Sequence, residues 1–119
     1  MEHIRADHSN LLITSAQAIP ILNFQFSILH SSMYAILVYD INEKRVGKML
    51  KLCRRYLNWI QNSVFEGEIT EVKMKELTHK IKEIMHEDVD SVIVFTSRDE
   101  VWLKKRIIGL EKGRTDVFL

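Results

Sequence analysis

Residues 33–45 read Met-Tyr-Ala-Ile-Leu-Val-Tyr-Asp-Ile-Asn-Glu-Lys-Arg, an apolar run that leads through a single carboxylate into a basic segment. The run from Tyr34 to Tyr39 carries no charge, and Asp40 follows it directly. Side chains alternate between the two faces of a strand, and here both faces are apolar. The pattern therefore predicts a central strand that is covered on both faces, with Asp40 at its end on the face of Ile36 and Val38. A strand that ends in a carboxylate beside cations indicates a small metal or phosphate site.

The composition is that of one globular domain. The chain has 119 residues, 46% hydrophobic and 28% charged, with a formal net charge of +1, which excludes wholesale disorder. Because the net charge is so small, a polyanion partner must be inferred from where the cations lie. The single cysteine, Cys53, excludes an internal disulfide and fits a reducing compartment. No apolar run approaches the ~20 residues that cross a bilayer, so we expect a cytoplasmic protein without a membrane segment.

Residues 1–32 differ in character from the rest of the chain. They contain only three charged residues besides histidine, and the only proline, Pro20. Residues 22–28 alternate apolar and polar side chains at the period of a strand, which could add to a sheet edge. The alternative is an extension outside the folded core, with Met33 as the first residue of the domain. The abrupt change in composition favours the extension, so we predict that the core domain comprises residues 33–119.

Residues 43–57 have the spacing of an amphipathic helix, with Asn42 as its N-cap. The predicted buried stripe comprises Val46, Met49, Leu50, Cys53 and Leu57. Six cations fall within twelve positions with no acid between them, and they are Lys44, Arg45, Lys48, Lys51, Arg54 and Arg55. Four of them face away from the stripe, and Arg45 and Arg54 flank these. A charged helix face is often only solvated, but this density of cations favours sequence-independent contact with phosphates.

The remaining pattern predicts an α+β protein. Residues 58–69 are extended with a bend at 61–63, a helix starts at the N-cap Thr70, and residues 91–96 form a strand that is apolar on both faces. Residues 101–108 are predicted to form an additional C-terminal strand. The order is the βαββαβ order of a ferredoxin-like sandwich, in which helices cover one sheet face only. An identical protomer is the simplest cover for the other face, so we predict a sheet-to-sheet homodimer.

The chain resembles the CRISPR-associated protein 2 family, the small subunit of the spacer-acquisition complex, over roughly residues 33–113. The matching motifs are YAILVYDI at 34–41, the Lys44-Arg45 pair, CRRYL at 53–57, IQNSVFEGE at 60–68 and DSV at 90–92. The first and fourth motifs in this order are specific, whereas either alone is weak. Residues 1–32 have no counterpart in the family pattern.

The resemblance implies a function as well as a fold. It implies a homodimer that holds a divalent metal, usually Mg²⁺, between equivalent aspartates of two protomers, and Asp40 falls on that position. It implies a metal-dependent endonuclease on RNA or DNA. It also implies the central part of a complex with the CRISPR-associated protein 1 integrase, whose dimers it would bridge during spacer acquisition in antiviral defence.

Asp40 is the predicted catalytic and metal-binding residue. By itself an aspartate at a strand end is most often a turn or cap residue, and one carboxylate is too few to hold Mg²⁺. A two-fold axis doubles every carboxylate near it, and two facing carboxylates repel unless an ion or a proton lies between them. Possible neighbours of the site are Tyr39, Ser63 and Phe65. For the two aromatic residues a place in the core is the favoured alternative, and Ser63 equally suits a turn.

Two functional classes compete within this prediction, and a third remains open. As an enzyme, paired Asp40 carboxylates with Mg²⁺ would hydrolyse a phosphodiester. As a scaffold, the protein would have no turnover of its own. The basic helices would bind DNA, and the C-terminal strand and tail would bind the integrase. The third class is a toxin-like endoribonuclease of similar fold that has no integrase partner.

Overall fold

The computed structural model describes residues 30–98 and 103–113, together with Asn23 and Ser27, and divides the chain into units of residues 1–31 and 32–119. In the first unit the described positions Asn23, Ser27 and His30 are helical. The strand predicted for residues 22–28 is therefore wrong at its two described positions. A short alternation does not exclude a helix, because Phe24 and Ile28 also have the i, i+4 spacing of one helix face. The placement of residues 1–32 outside the core stays a prediction.

The second unit has the predicted ferredoxin-like order of elements. Its elements are β1 (Ser32–Asp40), α1 (Glu43–Arg54), β2 (Asn58–Gln61), β3 (Val64–Thr70), α2 (Glu71–Ile84) and β4 (Ser91–Ser97). The strands form one sheet in the order β2-β3-β1-β4, and each neighbouring pair is antiparallel. The α+β class and the βαββαβ topology are confirmed. No helix among the described residues is long and apolar enough to cross a membrane.

Strand β1 is central, as its apolar pattern predicts, and its two faces differ in cover. Ala35, Leu37 and Tyr39 are buried in a core that also contains Met49 of α1 and Leu77 of α2. Neither α1 nor α2 packs over the other face, and we call it the open face. It carries Ile36, Val38 and Asp40 of β1 and their partners Phe95, Ile93 and Ser91 of β4. Ile93 and Phe95 are 51% and 56% exposed, so an apolar row on β4 faces solvent.

Helix α1 begins as predicted, and its buried side includes most of the predicted stripe. The Asn42 side chain accepts a hydrogen bond from the Lys44 backbone N–H at 2.9 Å, which satisfies a free donor of the first turn. Met49, Leu52 and Cys53 are buried, whereas Val46 is exposed. The predicted stripe is therefore wrong at Val46 and omits Leu52. Met49, Cys53 and Leu57 of the predicted stripe are buried, so the buried side of α1 extends from that stripe towards Leu52. Arg45 lies seven residues, about two turns, before Leu52 and therefore on the same side of the helix.

The β2–β3 hairpin and the start of α2 agree with the predicted turn and cap. Asn62 has φ 45° in the turn, a conformation that asparagine tolerates better than most residues. A Cβ on Gly67 would lie 3.2 Å from Nδ2 of Asn58, and Gly67 has φ 154°, so this glycine permits a close approach between the strands. The Thr70 hydroxyl accepts a hydrogen bond from the Lys73 N–H at 3.2 Å, which confirms the N-cap.

The additional C-terminal strand is not formed in the described part of residues 101–108. Residues 103–108 have no strand geometry, although they border a groove of about 360 Å³ together with open-face residues such as Tyr34 and Val64. Side chains rather than a backbone ladder hold this segment: Lys105 forms an ion pair with Glu66. Strand-forming composition alone does not supply a ladder partner. The tail that we predict to bind a partner comprises residues 112–119, and its part beyond residue 113 lies outside the described residues.

Candidate metal and nucleic-acid site

Asp40 lies where the alternation of β1 places it, at the carboxyl end of the strand on the open face. It is exposed and lies opposite Ser91 of β4. Within the described part of the chain, no hydrogen bond or ion pair involves its carboxylate, so both oxygens are available to a ligand. The same residues contain no cluster of three metal-binding side chains. The described residues of one chain therefore contribute the carboxylate of Asp40 to this end of the open face.

Ser63 lies beside the end of β1, but the two aromatic candidates do not face Asp40. The Tyr39 N–H donates a hydrogen bond to the Ser63 carbonyl at 3.2 Å, so the hairpin turn adjoins the strand end. Tyr39 and Phe65 are buried on the helix-covered face, with ring centroids 6.0 Å apart. Burial raises the pKa of the Tyr39 phenol, which keeps it neutral. Alternation directs both side chains away from Asp40, so the favoured alternative, a place in the core, is confirmed for both aromatic residues.

Arg45 is engaged in an ion pair, which corrects its prediction as a phosphate contact. Its Nε and Nη2 donate to Oδ2 and Oδ1 of Asp90 at 2.7 and 2.9 Å. The Asp90 side chain is only 1% exposed. The Arg45 guanidinium, with backbone N–H donors from His86 and Asn42, holds the pKa of the Asp90 carboxyl far below its usual range. Arg45 lies on the core-facing side of α1, so its guanidinium is occupied by protein rather than by solvent.

The other five cations lie on exposed parts of α1 and its end. Lys44, Lys48 and Lys51 are exposed, and no ion pair holds them within residues 30–98 and 103–113. The Arg54 guanidinium lies 5.6 Å from the Trp59 ring centroid, and that of Arg55 lies 5.9 Å from the Tyr56 ring centroid. Cations on aromatic faces are held in place but keep donors for a phosphate. The three lysines are therefore the least constrained cations of this surface.

Comparison with known proteins identifies the family. Residues 33–105 match the family model described as CRISPR associated protein Cas2. The chain belongs to the Cas2 family. The match covers β1 through β4 and includes Asp40, Arg45 and Asp90, so the sequence resemblance is confirmed. It begins at Met33 and does not include residues 1–32.

Relatives of this family are similar along most of their own length. A protein of Dictyoglomus turgidum named CRISPR-associated endoribonuclease Cas2 is 46% identical over 87 residues, 73% of this chain and 100% of the relative. A protein of the same name from Fusobacterium nucleatum is 44% identical over 92 residues, 73% of this chain and 87% of the relative. A solved structure titled "Crystal structure of cas2" has a TM-score of 0.64 and 41% identity, covering 69% of this chain and 92% of that one.

The donor chemistry of Asp40 suits a divalent metal such as Mg²⁺. Mg²⁺ binds carboxylate oxygens, keeps several waters and needs few protein ligands. An exposed carboxylate without a protein partner on this part of the chain has both oxygens for that role. Further oxygen ligands would come from water, from a nucleic-acid phosphate or from a second copy of the chain. The Asp40 carboxylate therefore fits a metal site that is completed by such further ligands.

Asp90 is the residue near the site that the sequence did not single out. It accepts four hydrogen bonds, two from Arg45 and one each from the backbone N–H groups of Asn42 and His86. The DSV motif at 90–92 marked this position only as part of the Cas2 resemblance. Its side-chain partner Arg45 is 45 residues away along the chain, and no local pattern reveals a contact at such separation.

Proposed function

We propose that this chain is a dimeric nucleic-acid-binding subunit of CRISPR spacer acquisition, and that it cleaves phosphodiesters of RNA with a divalent metal at paired Asp40 carboxylates. The observation that carries the proposal is the position of Asp40: exposed, at the end of the central strand and on the open face of the sheet. Two relatives at 44–46% identity are named endoribonucleases, which supports RNA as the first substrate to test.

The apolar row beside Asp40 supports the dimer. Ile93 and Phe95 lie directly opposite Val38 and Ile36, and more than half of each β4 side chain is exposed. Burying such side chains stabilises an association by about 1.5–3 kcal/mol for each one fully removed from water. A two-fold contact through this face places the Asp40 of one protomer on the same surface as the Asp40 of the other.

Each group of the site then has a chemical role. Asp40 of each protomer binds the metal, which when present lowers the pKa of a bound water and offsets the charge of the phosphodiester. Lys44 lies four residues beyond Asp40 at the start of α1, and with Lys48 and Lys51 it contacts phosphates along the backbone of the nucleic acid. None of these contacts reads bases, so binding is independent of sequence.

Asp40→Asn tests the catalytic role, and Glu83→Gln is the control. Glu83 is an exposed carboxylate on α2, in the layer that covers the opposite sheet face. Single-stranded RNA and duplex DNA are incubated with each protein in Mg²⁺ or in EDTA. Asp40→Asn should lower cleavage at least ~10²-fold, since metal stabilisation is worth several kcal/mol, whereas Glu83→Gln should cleave as wild type. Equal cleavage by Asp40→Asn and wild type would remove Asp40 from the mechanism.

A scaffold without turnover is the second candidate, favoured because the described residues contain no group of three side chains that could hold a metal ion. In this role the chain bridges integrase dimers, and the exposed apolar side chains of Ile108 and Leu110 contact the integrase. Spacer integration by the two-protein complex with Asp40→Asn separates the candidates. Retained integration with abolished cleavage supports the scaffold. Failure to bind the integrase on size exclusion with Ile108→Ser/Leu110→Ser, but not with Val72→Ser on α2, locates the contact.

A further inference from the structure

We propose that Asp90 and Arg45 are positioning residues that fix the end of β1 and thereby hold Asp40 in place; the proposal rests on the proposed role of Asp40 as the metal-binding carboxylate. Asp90 does not reach the site itself. It acts through the backbone on either side of Asp40, as the connections of its carboxylate show.

The Asp90 carboxylate connects three segments that meet at this end of the sheet. Its Oδ1 accepts from the Asn42 N–H at 3.0 Å and from Nη2 of Arg45 at 2.9 Å. Its Oδ2 accepts from the His86 N–H at 2.9 Å and from Nε of Arg45 at 2.7 Å. The bonds therefore join the β1–α1 connection, the first turns of α1 and the end of α2 to the residue that precedes β4.

Asp40 lies between two points that Asp90 fixes. On one side, Asn42 is two residues beyond Asp40 along the chain, and its N–H is bound to Asp90. On the other side, Ser91 follows Asp90 directly and is the ladder partner of Asp40. A shift of Asp40 therefore requires the Asn42 bond or the last β1–β4 pair to break. The end of a strand usually frays, and these two attachments counteract that tendency.

Because the Arg45–Asp90 ion pair is largely buried, its two side chains have little freedom to move. The Asp90 side chain is 1% exposed and that of Arg45 is 16% exposed. The Asp90 carboxylate accepts four hydrogen bonds. The two parallel N–H···O bonds from Arg45 fix the angle between α1 and the start of β4 as well as their distance. A lysine at position 45 keeps the charge but cannot form the second bond, so Arg45→Lys should position Asp40 less well.

The first measurement reports position without a metal. The Tyr39 amide donates to the Ser63 carbonyl, adjoins Asp40 and does not contact Asp90. In Asp90→Asn its hydrogen exchange should become about tenfold faster, because the strand end opens locally. The Lys73 amide, bound to the Thr70 hydroxyl beyond the opposite end of β1, should exchange as in wild type. Unchanged exchange at Tyr39, or equal acceleration at both amides, overturns the proposal.

The second measurement reports the metal directly. The decrease of the free Mn²⁺ signal in electron paramagnetic resonance gives Mn²⁺ affinity, with Mn²⁺ standing in for Mg²⁺. Asp40→Asn should abolish binding, and Asp90→Asn should weaken it ~10-fold, the lower end of the effects for residues that support a ligand. Arg45→Lys should fall between Asp90→Asn and wild type. Leu77→Ala, a core substitution in α2, controls for stability and should bind Mn²⁺ as wild type at a temperature where all variants are folded.

The outcomes separate this inference from the proposed function. If Asp40→Asn abolishes Mn²⁺ binding but Asp90→Asn binds as wild type, the metal role of Asp40 stands and the positioning role is overturned. If Asp40→Asn binds Mn²⁺ as wild type, the proposed metal function fails first. In that case the hydrogen exchange of the Tyr39 amide still tests whether Asp90 holds the end of β1 in place.

Discussion

The rings of Tyr39 and Phe65 are stacked in the core, 6.0 Å between centroids and 28° between planes, on the sheet face opposite Asp40. Tyr39 directly precedes Asp40 in sequence, and Phe65 lies two residues after Ser63. The sheet face on which their side chains lie decides between a role in the core and a role in the site. Leu37 of β1 is the ladder partner of Phe65 and is fully buried with it. This arrangement assigns the two aromatic residues to stability.

Phe65→Ala should therefore lower the free energy of unfolding by about 3–5 kcal/mol, because it leaves a cavity in a closed core. Urea unfolding followed by tryptophan fluorescence measures the change. Tyr39→Phe keeps the stacked ring and should cleave RNA within twofold of wild type. A Tyr39→Phe protein of native stability that no longer cleaves would instead place the phenol hydroxyl in the reaction.

The Arg45–Asp90 pair predicts a defined pH dependence of stability. The folded-state pKa of Asp90 lies far below its usual range, first because of the Arg45 hydrogen bonds. A depressed pKa means that the contribution is fully present above the unfolded pKa, about 3.9, and is lost as the pH falls below it. The thermal midpoint of wild type should exceed that of Asp90→Asn by a constant margin from pH 7 to 5. The margin should shrink below pH 4, and a margin that grows there would contradict the ion pair.

Cys53 should be inert in the native protein. Its side chain is fully buried, and burial raises the pKa of its thiol to about 12, so almost no thiolate exists at pH 8. Labelling with Ellman's reagent at pH 8 should be slow in buffer and complete within minutes in guanidinium chloride. Fast labelling of the folded protein would show that the Cys53 side of α1 opens.

The fold was accessible from sequence because its signals are local. The apolar run of β1, the Thr70 cap and the turn around Asn62 each depend on neighbours within a few residues, and the structure confirms all three. The face of Asp40 followed from counting alternate residues along β1. These features, together with the Cas2 motifs, were sufficient to place Asp40 on the open face.

The orientation of α1 was not accessible in the same way. Apolar residues at 46, 49, 50, 52, 53 and 57 cover a broad arc of the helix, so more than one buried stripe fits them. In the structure Arg45 contacts Asp90, 45 residues later in the chain. A contact between such distant residues leaves no periodic signal, and it moved one predicted phosphate contact into a structural ion pair. Similarly, the strand-like pattern of residues 103–108 does not show whether a neighbouring strand is available to pair with them.

Gly113 and Gly47 should respond in opposite directions to alanine. A Cβ on Gly113 would lie 2.6 Å from the Trp59 carbonyl oxygen, a backbone atom, whereas nothing lies within 4 Å of a Cβ on Gly47. Gly113→Ala should detach the C-terminal segment and speed limited trypsin cleavage at residues 104–106 several-fold. Gly47→Ala should raise the free energy of unfolding by about 0.5–1 kcal/mol, since glycine is unfavourable inside a helix. Equal trypsin resistance of both variants would show that Gly113 is not packed on β2.

The lysines of α1 should determine how nucleic-acid binding depends on salt. Lys44→Gln/Lys48→Gln removes two exposed cations per chain and should weaken binding to duplex DNA for every sequence alike. The slope of log K against log salt should decrease by about 0.9 for each phosphate that the variant no longer neutralises, measured by fluorescence anisotropy at a series of salt concentrations.

The matched control is Lys75→Gln/Lys82→Gln, which removes two exposed cations of α2 and the same net charge. If the control lowers the slope equally, the protein attracts DNA through its total charge and α1 is not the binding surface. A decrease confined to the α1 variant assigns phosphate binding to the helix that Asp40 precedes.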